Sequence, residues 1–138
     1  MDLVETLAEA LHDGWCDALL EAGWQLGARD PSRRTHPHLL PWAQCPPETN
    51  DQDRRIARLV IAHLRAYQAA AGGGEPSEEQ LAEAIHEAWA DATRAEGRTD
   101  HPHLHDRWAD HADERRAEHL HQARRILAIR RACQKRGA

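Results

Sequence analysis

An indole, three guanidinia and an imidazole lie close together where the chain carries Trp24, Arg29, Arg33, Arg34 and His36. An indole stacks on flat rings, and a guanidinium holds phosphate or carboxylate through paired hydrogen bonds. Gly27, Asp30-Pro31, His36-Pro37, Pro41 and Pro46-Pro47 punctuate the segment, so it reads as ordered loop. Trp24, Arg29, Arg34, His36 and Trp42 are therefore the candidate site for a small anionic ligand, with Trp24 as the stacking platform. The competing reading makes Trp24 a plug between helices and Arg29-Asp30 an internal ion pair.

The histidines invite a metal, above all His36, His38, His101, His103, His105, His111, His119 and His121. Their spacing argues against one. His119 and His121 fall on different sides of a helix, His-Glu-x-x-His is missing, and no cysteine or carboxylate stands at ligand spacing beside them. Glu9 with His12, and Glu83 with His86, could each be half of a carboxylate cluster, but no second helix adds a matching Glu-x-x-His. His12 and His86 are expected as partly buried rings hydrogen-bonded to the neighbouring loop. Neither a metal nor a cofactor is expected. Catalytic signatures such as Gly-x-Ser-x-Gly or a phosphate-cradling glycine loop are absent, so no enzyme is expected either.

A duplication positions these residues. Leu7-Ala8-Glu9-Ala10-Leu11-His12-Asp13-Gly14-Trp15 returns as Leu81-Ala82-Glu83-Ala84-Ile85-His86-Glu87-Ala88-Trp89. His36-Pro37-His38-Leu39 likewise returns as His101-Pro102-His103-Leu104, and Asp53-Arg54-Arg55 pairs with Glu114-Arg115-Arg116. The copies are read as residues 1–71 and 77–138, joined by the linker 72–76.

Apolar residues at three- and four-residue steps predict a first helix through Val4, Leu7, Leu11, Trp15 and Leu19, capped by Asp2 and stopped at Gly23. Thr49 to Gln52 reads as a capping box for a second helix through Ile56, Leu59, Val60, Leu64 and Tyr67. Residues 69–76, rich in Ala and Gly, read as the connection. Ser77 to Gln80 caps a third helix that Gly97 stops, and a fourth is predicted from about residue 107 to 135. No alternating strand pattern appears, so the fold is expected to be all-α. A half of this size buries a modest fraction of its surface. The two halves should therefore share one core about an approximate two-fold axis, burying Leu11, Trp15, Leu59, Leu64, Ile85, Trp89 and Leu127.

The order of Leu7, Ala8, Glu9, Leu11, His12, Asp13, Trp15, Gly23, Trp24, Gly27, Arg29, Asp30, Arg34, His36, Pro37, Leu39, Pro41, Trp42, Asp53 and Arg54 resembles the ryanodine receptor repeat, or RyR domain. The resemblance runs from Leu3 to Tyr67 without a gap. The second copy keeps the opening and the His-Pro-x-Leu element, but Arg98 replaces the Gly-Trp tryptophan and the loop is shortened. The resemblance implies a tandem helical module whose His-Pro rings pin a loop. It also implies a prokaryotic or viral setting for isolated repeats and adenine-nucleotide binding by one such pair. No part of the family's transmembrane channel is present.

Net charge is −5 with a pI near 6.1, which disfavours binding to a nucleic-acid duplex. Cys16, Cys45 and Cys133 form no framework and fit a reducing compartment. With no leader and no apolar run of about 18 residues, the protein is expected to be soluble and cytoplasmic, away from membranes. The leading reading is a non-enzymatic module for a nucleotide or related small anion. That site would be single and asymmetric, because Trp24 and Arg29 are missing from the second copy. An interaction module docking an acidic protein on the arginine-rich last helix is the alternative, and a metal-dependent hydrolase fits least.

Overall fold

Four helices carry the chain: α1 (Leu3–Glu21), α2 (Pro47–Ala70), α3 (Glu78–Ala95) and α4 (Asp113–Arg136). The computed structural model describes residues 2–70, 72–101, 103–104 and 106–136. The strands among them are two-residue pieces, β1 (Gln25–Leu26) and β2 (Thr35–His36), paired in parallel with Gln25 beside Thr35. The fold is all-α. No helix among the described residues is long and apolar enough to cross a membrane.

Local chemistry explains where the helices begin and end. Asp2 accepts from the Glu5 amide at 3.2 Å, and Ser77 and Gln80 form the reciprocal capping box that opens α3. Both α1 and α3 end in a Schellman turn. Gly23 and Gly97 take the positive φ it requires, while the amides of Trp24 and Arg98 reach back to the carbonyls of Leu19 and Thr93.

Three boundaries differ from the sequence reading. α2 starts at Pro47, before the Thr49 box, because a proline at the first helical position loses no intrahelical bond; the Pro46 carbonyl accepts from the Thr49 and Asn50 amides instead. Ala69 and Ala70, read as part of the connection, continue α2, and Ala71 lies outside the described residues. α4 starts at Asp113, since Trp108–Asp110 forms a separate 3-10 turn. Trp42–Gln44 forms the same turn ahead of α2.

One apolar cluster draws on all four helices, with Leu7 and Leu11 from α1, Val60 and Ile61 from α2, Leu81 and Ile85 from α3, and Ile126 and Leu127 from α4. The largest helix contact is α1 with α4, across the halves. Leu11, Ile85 and Leu127 are buried as expected, Trp15, Trp89 and Leu64 are half-buried, and Leu59 is 39% exposed. Leu59 misses the core through helical phase. Ile56, Ala57, Val60 and Ile61 occupy the inward face, and Leu59 falls beside it.

The inward residues also correct the repeat register. Ala57, Val60 and Ile61 hold the places in α2 that Ala123, Ile126 and Leu127 hold in α4, and Trp42 corresponds to Trp108. The identity of Asp53-Arg54-Arg55 with Glu114-Arg115-Arg116 is therefore slipped by more than a helical turn, because arginines on a polar face align readily out of phase.

Candidate functional site

Helices α1 and α3 set equivalent histidines and tryptophans against the loops that follow them. His12 Nε2 donates to the Leu40 carbonyl at 2.6 Å, and His86 Nε2 donates to the Asp106 carbonyl at 3.2 Å. Trp15 meets His36 edge-on at 4.8 Å between centroids, as Trp89 meets His101 at 4.7 Å. His36 Nδ1 accepts from the His38 amide, and His101 Nδ1 from the His103 amide. These rings pin loop backbone, which is the role expected of them. Below them, Trp42 donates to Glu5 under the Arg54 guanidinium, and Trp108 donates to Glu79 under Arg116.

Between the halves lies a cleft of about 380 Å³, inside the ~300–1,000 Å³ usual for small-molecule sites. Trp15 and Trp89 both line it, with Arg29, His36, Asp53, Arg98, Arg115 and Glu118 among its charged or titratable walls. Arg115 lies over Trp89 at 4.4 Å and pairs with Glu118 at 2.8 Å, yet its Nε and Nη2 are buried without a hydrogen-bond partner. Buried donors left unsatisfied cost free energy. No cation covers Trp15 among the described residues, and Arg29 makes neither hydrogen bond nor ion pair there.

Burial dominates the acid–base chemistry of these walls. It pushes the Asp53 carboxyl up to about 7, and it raises Glu118, with Arg115 opposing. The imidazoles move the other way. Burial, with nearby Arg29, pushes His36 down to about 4, and burial, with nearby Arg115, pushes His119 down to about 3. At neutral pH the cleft thus offers neutral imidazoles, arginine donors and a carboxyl near its midpoint.

The structure separates the five residues read as the site. Arg29 and His36 reach the cleft. Trp24 is half-buried but is not among the lining residues, because the Schellman turn carries it past the end of α1. Arg34 is occupied, bonding the Ala22 carbonyl at 2.5 Å and Glu114 at 3.3 Å. Trp42 is 9% exposed and belongs to the core. Trp15, Trp89, Asp53 and Arg115, which the sequence reading does not place there, line the cleft as well. The signal for the two tryptophans was their recurrence at the same place in the repeated nonapeptide, since equivalent residues of packed halves meet at the junction.

The arginines of α4 are largely engaged within the chain: Arg116 with Glu79, Arg124 with Glu78, Arg125 with Asp17 and Arg131 with Glu75. Among the described residues no three His, Cys, Asp or Glu side chains converge as a metal site, and His105 lies outside them.

No curated protein matches the chain. A family model described as the RyR domain matches residues 1–71, just over half of the 138. The second half, with its shortened loop, lies outside that match although its histidines and tryptophans make the same contacts. On the matched first half, the chain belongs to the RyR domain family.

Proposed function

We propose that the cleft between the halves binds a nucleotide and that the protein is a non-enzymatic module that senses or sequesters it. The observation that carries this reading is the pairing of the Trp15 indole, over which no cation lies among the described residues, with the two unsatisfied donors of Arg115 in the residues lining one cleft. The base stacks on Trp15, and the phosphate takes Arg115 Nε and Nη2 with Arg29 at the rim. Asp53, close to half-protonated at neutral pH, faces the amino or ring nitrogens of the base. Trp89 holds the Arg115 guanidinium flat, so the second half supplies the anion site while the first supplies the stacking surface.

Calorimetric titration with linear and cyclic mononucleotides tests it. Stacking contributes about 1–3 kcal/mol per base, so Trp15→Ala is expected to weaken binding by about five-fold to about 150-fold. Absence of binding to the unmodified protein, or equal affinity in Trp15→Ala, would overturn the assignment.

A further inference from the structure

The chain that leads into α3 is tied down on the second half. Pro76 is fully buried, and Arg131 of α4 donates to Glu75 from Nε at 3.0 Å and from Nη2 at 2.5 Å. A glutamate followed by a proline thus anchors the approach to α3 on the end of α4.

The first half presents the corresponding arginine without that anchor. In the register of the inward residues, Arg65 and Gln68 of α2 stand where α4 has Arg131 and Gln134. In the register of the repeated nonapeptide, Pro76 falls at Asp2, which is exposed and accepts from the Glu5 amide, and Glu75 falls at Met1, outside the described residues. The start of α1 and the ends of α2 and α4 border a groove of about 370 Å³ here, walled by Leu3, Leu7, Ile61, Leu64, Ile126 and Ile129. Its lining carries two cations, Arg65 and Arg130, and no carboxylate among the described residues. Glu75 is held below its ordinary pKa by the Arg131 hydrogen bond, with the Arg130 charge adding to it. Arg65 is exposed and makes neither hydrogen bond nor ion pair among the described residues, and Leu3 beside the groove is 40% exposed.

An apolar wall with an arginine at its edge and no acid in its lining is complementary to a carboxylate beside a small apolar body. The second half shows such a pair on the matching arginine, in Glu75 and Pro76 of the chain itself. We propose that the groove of the first half docks an extended segment of a partner protein in which a glutamate precedes a proline. The proline lies against Leu3, Leu7 and Leu64, and the glutamate takes the Arg65 guanidinium. Proline suits the role because its fixed φ leaves little freedom to lose on docking.

Magnetic-resonance titration of the protein with a capped peptide of the sequence of residues 72–77 tests the proposal. Saturable shifts are expected at the methyl groups of Leu3, Ile61 and Leu64. Glu75→Gln in the peptide, or Arg65→Gln in the protein, should weaken binding by about two-fold to five-fold, as for an exposed ion pair. Pro76→Gly in the peptide should weaken it by about ten-fold, through lost apolar burial. Arg65 is exposed, so the fold tolerates its loss. Absence of saturable shifts, or equal affinity of the parent and Glu75→Gln peptides, would overturn the site. So would the same shifts arising from protein concentration alone, which would make a second copy the occupant.

Discussion

Replacing Gly14 by alanine separates helix propensity from helix packing. In an isolated helix the change stabilises by about 1 kcal/mol, since glycine is among the poorest helix formers. Here a methyl group at Gly14 would stand 2.5 Å from Gln122 Cα and 2.7 Å from its amide nitrogen, on the backbone of α4. Backbone cannot rotate away as a side chain can, so α1 and α4 must separate by about 1 Å to restore ordinary contact. Overpacking of this kind costs about 1–3 kcal/mol. Separation also strains the Gln122 network, in which Nε2 donates to the Leu11 carbonyl at 2.9 Å and Oε1 accepts from His119 at 2.8 Å. Each such bond contributes about 1 kcal/mol. The net expectation is a loss of about 1–3 kcal/mol, read as a lower urea midpoint with unchanged slope. Gly14→Ala as stable as the parent, or more so, would refute the close approach of α1 and α4.

Acidification from pH 7 to pH 4 is expected to lower the melting temperature. His36 and His86 are pushed down to about 4 and His119 to about 3, so below pH 6.5 the unfolded chain binds protons that the folded one refuses; a flat profile would refute their neutral burial. Asp53 acts oppositely, because a carboxyl raised to about 7 loses stability as pH climbs from about 4 through 7. Asp53→Asn should therefore stabilise more at pH 8 than at pH 5, and equal shifts at both would contradict the burial of that carboxyl. Trp24→Ala should change nucleotide affinity by less than about two-fold, and a loss as large as that of Trp15→Ala would return the site to the loop.

The helices were legible because capping and apolar periodicity are local. Asp2, Gly23, Ser77 and Gly97 mark ends by hydrogen bonds and backbone conformation that depend on a few neighbours. The start of α2 was hidden for a local reason too, since Thr49 to Gln52 satisfies the pattern of a capping box while Pro47 takes the first helical position. The cleft was less legible because it is tertiary. Its walls come from α1, the loop through Arg29 and His36, α2, α3 and α4, and periodicity does not say which side chains of separate helices meet. Arg34 and Trp42 illustrate the limit, since residue types suited to binding anions and rings are equally suited to tying a loop to a helix.

Asymmetry between the copies is the argument for Trp24, and in the fold Trp24 does not line the cleft. The α1 and α3 faces meet at the cleft, so Trp15 and Trp89, kept in both copies, gather there. Residues that differ between copies collect where the halves have different neighbours. Gly14 admits the α4 backbone where Ala88 stands on α3, and Arg125 pairs with Asp13 and Asp17 where α2 offers Leu59. A position present in one copy alone is thus first a sign of a different neighbour. Trp15 and Trp89, which repeat, line one cleft, and Gly14 and Arg125 differ from Ala88 and Leu59 where α1 meets α4.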